Sequence, residues 1–266
     1  MSVNYLGYLA AILYISSVIF TLLDKPNEQQ KRLNRLVFKS MTCLAIVAHG
    51  ASIYFVAFSQ PLPNLSLFNT ASIVTFIISI IIVLGSRIRT VSVTALVAFP
   101  LSSLFIVLSI IYPIDNSFST NHLGVKTHVV LSLLAYSFFS VAVVQALFLS
   151  ITEYRLKAHR PIMNLLPPLS RIEDLMFLST VIAFCLLTVG IIIGTISVKN
   201  IFEQNLSHKV FFSILAWLTF LTLIVGKFRY QLRGKKATYL ILGGFLLLAL
   251  GFFGSKFVVE IILGRN

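Results

Sequence analysis

Residues 125–152 read VKTHVVLSLLAYSFFSVAVVQALFLSIT: a lysine and a histidine at the start, then an uninterrupted run without formal charge. As a helix rising 1.5 Å per residue, such a run is long enough for a hydrocarbon core of roughly 30 Å. Working outward, seven further runs of similar character can be drawn, at 4–23, 37–58, 69–86, 91–112, 172–196, 209–227 and 237–259. The composition agrees, with 58% apolar and 11% charged residues. The expected fold class is therefore all-α, a polytopic integral membrane bundle of eight transmembrane helices. The segments between runs, at most about 20 residues, are too short for a soluble domain. A single transmembrane domain over residues 1–266 is expected.

The basic residues predict the orientation. Sixteen of the twenty-one lysines and arginines fall in or beside the segments joining runs one to two, three to four, five to six and seven to eight. Lys126, Lys199, Lys209, Lys256 and Arg265 are the remaining five. Positive residues concentrate on the cytoplasmic side, which puts both termini outside. The net charge of +13 then reports topology and attraction to anionic lipid headgroups. Spread over four short loops, it does not describe a nucleic-acid surface. No basic residue precedes the first run, so it reads as a retained span rather than a cleaved signal. Cys43 and Cys185 fall inside runs without CxxC spacing and are expected to be buried packing residues.

Prolines and caps set the helix limits. Pro167 and Pro168 cannot continue a helix, so the fifth must end before them, and Ser170 with Glu173 reads as an S-x-x-E capping box that opens the sixth. Pro100, midway along the fourth run, should bend it by freeing a carbonyl one turn earlier.

Four of the five histidines lie on the predicted outer side. His49 is in the outer half of run two, His128 in the first turn of run five, His208 at the opening of run seven, and His122 just before run five. His159 lies in a basic cytoplasmic loop and reads as solvated. An imidazole within a bilayer must face protein, water or a ligand. For His49 the plain alternative to a ligand site is a hydrogen bond to a serine or backbone group on a neighbouring helix. Ser132 and Tyr136 follow His128 at i+4 and i+8 on nearly the same face, where Ser132 can bond its own backbone and Tyr136 can simply pack. Membrane histidines on one side suggest three chemistries. A zinc site lacks carboxylate or cysteine partners at ligand spacing. A proton relay lacks an acidic residue to continue it. Haem takes neutral imidazoles as axial ligands in an apolar cleft.

The segment His128-Val-Val-Leu-Ser132-Leu-Leu-Ala-Tyr136 resembles the H-x3-S-x2-[AS]-Y pattern of the cytochrome c assembly membrane proteins, the CcsA, CcmC and HemX types. The order of further segments is similar too: Asn64-Leu-Ser-Leu-Phe-Asn69, Leu166-Pro-Pro-Leu-Ser-Arg-Ile-Glu173, Phe212-Ser213-Ile-Leu-Ala-Trp217 and Phe253-Gly254-Ser255-Lys256. The resemblance runs through nearly the whole chain and points to the family's short bacterial inner-membrane branch.

That resemblance implies haem handling. By position it makes His128 the leading axial ligand, with His49 similar to the family's early-span histidine and His208 a further candidate for haem iron. It also implies residence in the bacterial inner membrane, with the lipid bilayer, haem, and an inner-membrane or cytoplasmic protein as expected partners, and no nucleic acid. The chain departs from the haem-presenting members in lacking their tryptophan-rich external motif, since its only tryptophan is Trp217. No nucleophile or general base can be named, and the expectation is a protein that is not an enzyme. The expected function is haem binding or handling associated with cytochrome c assembly. The alternatives are a HemX-like regulatory scaffold controlling a partner protein and a small-solute transporter. The second has little support, as no inverted repeat or interrupted helix pair is visible.

Overall fold

A computed structural model describes residues 2–23, 31–58, 63–85, 89–114, 122–159, 168–197 and 207–262. Within them lie eight helices: α1 (Ser2–Leu23), α2 (Lys31–Ile53), α3 (Leu67–Leu84), α4 (Arg89–Ile111), α5 (Leu123–Lys157), α6 (Leu169–Ser197), α7 (Ser207–Tyr230) and α8 (Lys235–Ala249). A π-helical turn, Tyr54–Phe58, extends α2, and two more, Leu250–Gly254 and Phe257–Ile262, extend α8. All eight are long and apolar enough to cross a membrane. Helix is the natural outcome for such runs, because lipid offers no partner to an unpaired backbone group. Hydroxyl residues are accommodated by bonding back to their own helix. Ser137 Oγ donates to the Leu133 carbonyl at 2.7 Å and Thr152 Oγ1 to that of Phe148 at 2.7 Å.

The chain divides into two compact units, residues 1–119 and 120–265. In the first, α1 packs on α2 and α4, and α3 packs on α2 and α4, closing a ring of four helices. Tyr14 and Phe99 are fully buried there with ring centroids 5.0 Å apart. The segment Asn64–Asn69 ties the entry of α3 to the end of α4. Asn64 Nδ2 donates to the Ile114 carbonyl at 2.8 Å, and the Ser66 N–H donates to Asn64 Oδ1 at 3.1 Å. The helix α4 continues through Pro100.

In the second unit α5 packs on α6 and α8, and α7 on α6 and α8, again a closed ring. Its core joins Ala142, Ala146 and Leu149 of α5 to Ile172 and Met176 of α6, Leu223 of α7, and Ala237 and Ile241 of α8. The rings of Phe139 and Phe220 stack at 3.9 Å between centroids. Gly244 admits this contact, since a Cβ there would stand 2.8 Å from the Phe220 ring.

Three expectations need correction. Helix α6 starts at Leu169, so Ser170 lies inside it, and the N–H groups of Arg171 and Ile172 donate to the Pro168 carbonyl at 3.0 and 3.2 Å. The Glu173 carboxylate does not reach back to close a capping box. It meets Lys227 Nζ at 3.2 Å and Arg233 Nε at 3.9 Å, because the end of α7 arrives beside the first turns of α6. Cys43 and Cys185 are exposed on the outside of their helices, not buried, as an apolar thiol tolerates a lipid-facing position. The last span runs to Ile262 rather than 259, and so takes in Glu260, only 6% exposed and 3.7 Å from Lys256 Nζ.

Candidate functional site

His128 lies in the first turns of α5, where antiparallel α6 presents Gly190 and Gly194 to it. Its Nδ1 donates to the Gly190 carbonyl at 2.6 Å. A carbonyl only accepts, so the proton is on Nδ1, and in the neutral ring the lone pair is on Nε2. Gly194 is required by the same contact, since a Cβ there would stand 2.7 Å from Nδ1. The imidazole is half-buried and held at Nδ1, and among the described residues no hydrogen bond engages Nε2.

The rest of the motif after His128 is structural. Ser132 Oγ donates to the His128 carbonyl at 2.8 Å. Tyr136 turns toward α8, where its hydroxyl donates to the Leu248 carbonyl at 2.8 Å, just before the π-helical turn. Its ring packs against Phe252 and Phe253 at centroid distances of 5.7 and 5.8 Å.

His49 is in the other unit and is 0% exposed. Both of its nitrogens are engaged. Nε2 shares a hydrogen bond with Ser72 Oγ at 3.0 Å, and Nδ1 with the Tyr14 hydroxyl at 3.3 Å. Tyr14 and Phe76 meet the ring edge-on at 5.8 and 5.3 Å. Beside Ser72, a cavity of about 10 Å³ is lined by Ser52, Asn69 and Ser109 among others, room for about one water. The serine on a neighbouring helix is the arrangement that ordinary packing predicts for a membrane histidine.

Of the remaining histidines, His208 belongs to the first turn of α7, and its side chain lies outside the described residues. His122 is exposed at the N-cap of α5, and His159 is exposed just beyond its end with φ 49°. Trp217 is tied inward, its Nε1 donating to Thr188 Oγ1 at 2.9 Å with the ring stacked 5.5 Å from Phe184.

Sequence reasoning passed over the residues that hold these imidazoles. Gly190 and Gly194 form a G-x3-G spacing, the small-residue signature of closely packed membrane helices, and it could have pointed to the His128 contact. Ser72 left no comparable signal, because a serine hydroxyl in an apolar run satisfies itself on its own helix just as well, and Tyr14 reads like any aromatic residue of such a run.

The eight apolar helices make this a polytopic membrane protein. The family model described as Cytochrome C assembly protein matches residues 37–263, and the chain belongs to that family. It is 33% identical over 206 residues to the inner membrane protein YpjD of Escherichia coli strain K12, covering 75% of this chain and 76% of that protein. It is also 26% identical over 144 residues, 53% of each chain, to an uncharacterized 28.8 kDa protein encoded in a nifR3-like 5′ region of Azospirillum brasilense. No solved structure matches. The spans and this relative together make the chain a multi-pass inner membrane protein.

Proposed function

We propose that this protein handles haem at His128, as a haem-binding inner membrane protein acting in or beside cytochrome c assembly. The observation that carries the reading is the 2.6 Å bond from His128 Nδ1 to the Gly190 carbonyl. It fixes the tautomer, orients the ring and raises the basicity of the opposite nitrogen, as the outer partner of a metal-bound imidazole does. If haem binds there, His128 Nε2 would be the nitrogen that holds its iron. The chain would supply the orientation of that ring. His49 would offer a nitrogen only by releasing Ser72 or Tyr14, which makes it the lesser ligand. His208 is the other residue to test. With both termini external, as the basic loops suggest, His128 belongs to the outer half of the membrane.

The experiment is an absorption spectrum of protein purified after expression with ample haem, beside His128→Ala, His49→Ala and His208→Ala. The expected result is a Soret band in the wild type that His128→Ala shifts or abolishes. A band unchanged in all three variants would remove the histidines from the site.

One observation favours a second reading. Trp217, the only tryptophan, is engaged between α6 and α7 and is not part of a presenting surface. A regulatory scaffold acting on a partner protein needs no such surface. Wild-type protein free of haem under the same conditions would favour it.

A further inference from the structure

At the basic end of the second unit, a groove of about 500 Å³ opens where α5 finishes and α6 and α8 begin. Its lining brings together Lys157 of α5, Leu169 of α6, and Arg233, Lys235 and Lys236 around the start of α8. Leu156 adds a second apolar side chain, and Glu153 is the one carboxylate among the lining residues. The formal balance is four cations against one anion, a surplus of three. Three of the cations are near neighbours in sequence, and folding brings Lys157 from the end of α5 to join them.

The backbone contributes too. Gly234 is the N-cap of α8 at φ 59° and, as a glycine, supplies no side-chain cap to the N–H groups that follow. A side chain at Gly234 would be strained by that φ, and its Cβ, 2.8 Å from Glu153 Oε1, would push the carboxylate aside. An open cavity with clustered ammonium and guanidinium groups and an uncapped helix start suits a phosphate. The two leucines are at the ends of membrane spans, where headgroup meets acyl chain.

We propose that this groove is a binding site for a phosphate-bearing anion, with the phosphodiester headgroup of an anionic phospholipid as its occupant. Lys157, Lys235 and Lys236 meet the phosphate, and Leu156 and Leu169 meet the start of the acyl chains. The site stands independently of haem.

The test reconstitutes the full chain in phosphatidylcholine nanodiscs with a minor fraction of phosphatidylglycerol and counts retained lipids by native mass spectrometry. The wild type is expected to retain phosphatidylglycerol over phosphatidylcholine. The triple variant Lys157→Gln/Lys235→Gln/Lys236→Gln should lose that preference by about tenfold or more, given the attraction each cation adds near a surface. A control removing equal charge elsewhere, Lys39→Gln/Arg171→Gln/Arg229→Gln, should keep it. Glycerol phosphate in solution separates the sources. If it displaces the lipid at micromolar concentration, the occupant is a soluble phosphate and the lipid assignment is overturned. Equal losses in the two triple variants would overturn the site itself, leaving only diffuse charge.

Discussion

Gly194 of α6 lies directly beneath the His128 imidazole, so close that a Cβ built on it would stand 2.7 Å from Nδ1 and 2.9 Å from Cε1. The backbone of one helix thus serves as the floor of a side chain on another. Replacing Gly194 with alanine must displace the ring or part the helices. Gly194→Ala is expected to lower stability by about 1–3 kcal/mol, the usual cost of overpacking. Under the haem reading it should also perturb the Soret band. Unchanged thermal unfolding in detergent together with an unchanged spectrum would show that α5 and α6 are not packed this closely.

The His49 surround makes a different prediction. His49→Ala opens a cavity and strips partners from Tyr14 and Ser72, whereas Ser72→Ala removes a single hydrogen bond. The first should cost about 2–5 kcal/mol and the second about 1 kcal/mol. Thermal unfolding of both variants checks the order. Equal, small losses would mean that His49 is not enclosed.

Glu173 and Ser170 should behave oppositely to a capping box. Ser170→Ala, at an exposed position inside α6, should change stability by less than about 0.5 kcal/mol. Glu173→Ala strands Lys227, whose side chain is only 17% exposed, and should cost about 1–3 kcal/mol. If Lys227→Met restores much of the loss in Glu173→Ala, the ion pair is confirmed as the cause; an additive loss would refute it.

Topology is checked by C-terminal fusions. With both termini external, a phosphatase fusion should be active and a cytoplasm-dependent fluorescent fusion dark. The reverse pattern would move His128 to the cytoplasmic half and reassign the basic groove to the outer face.

The spans were legible because bilayer thickness imposes a length and lipid imposes a composition, and both are written locally. The seven runs drawn around residues 125–152 match the helices to within a few residues at most ends. Two of the misplaced ends share a cause: Glu153 and Glu260 look like span limits by charge, yet helix continues through each, with a cation-lined groove beside Glu153 and Lys256 beside Glu260. His128 and His49 were equally conspicuous as letters, both imidazoles in apolar runs. Only packing separated them, by setting a carbonyl and two glycines against one and two hydroxyls against the other. By itself, then, the sequence determined the helices, their order and the family, since these follow from hydropathy and from motifs read along the chain. Tertiary structure decided which imidazole keeps an uncommitted nitrogen and which cations gather into a groove, because each depends on atoms brought together from helices distant in sequence.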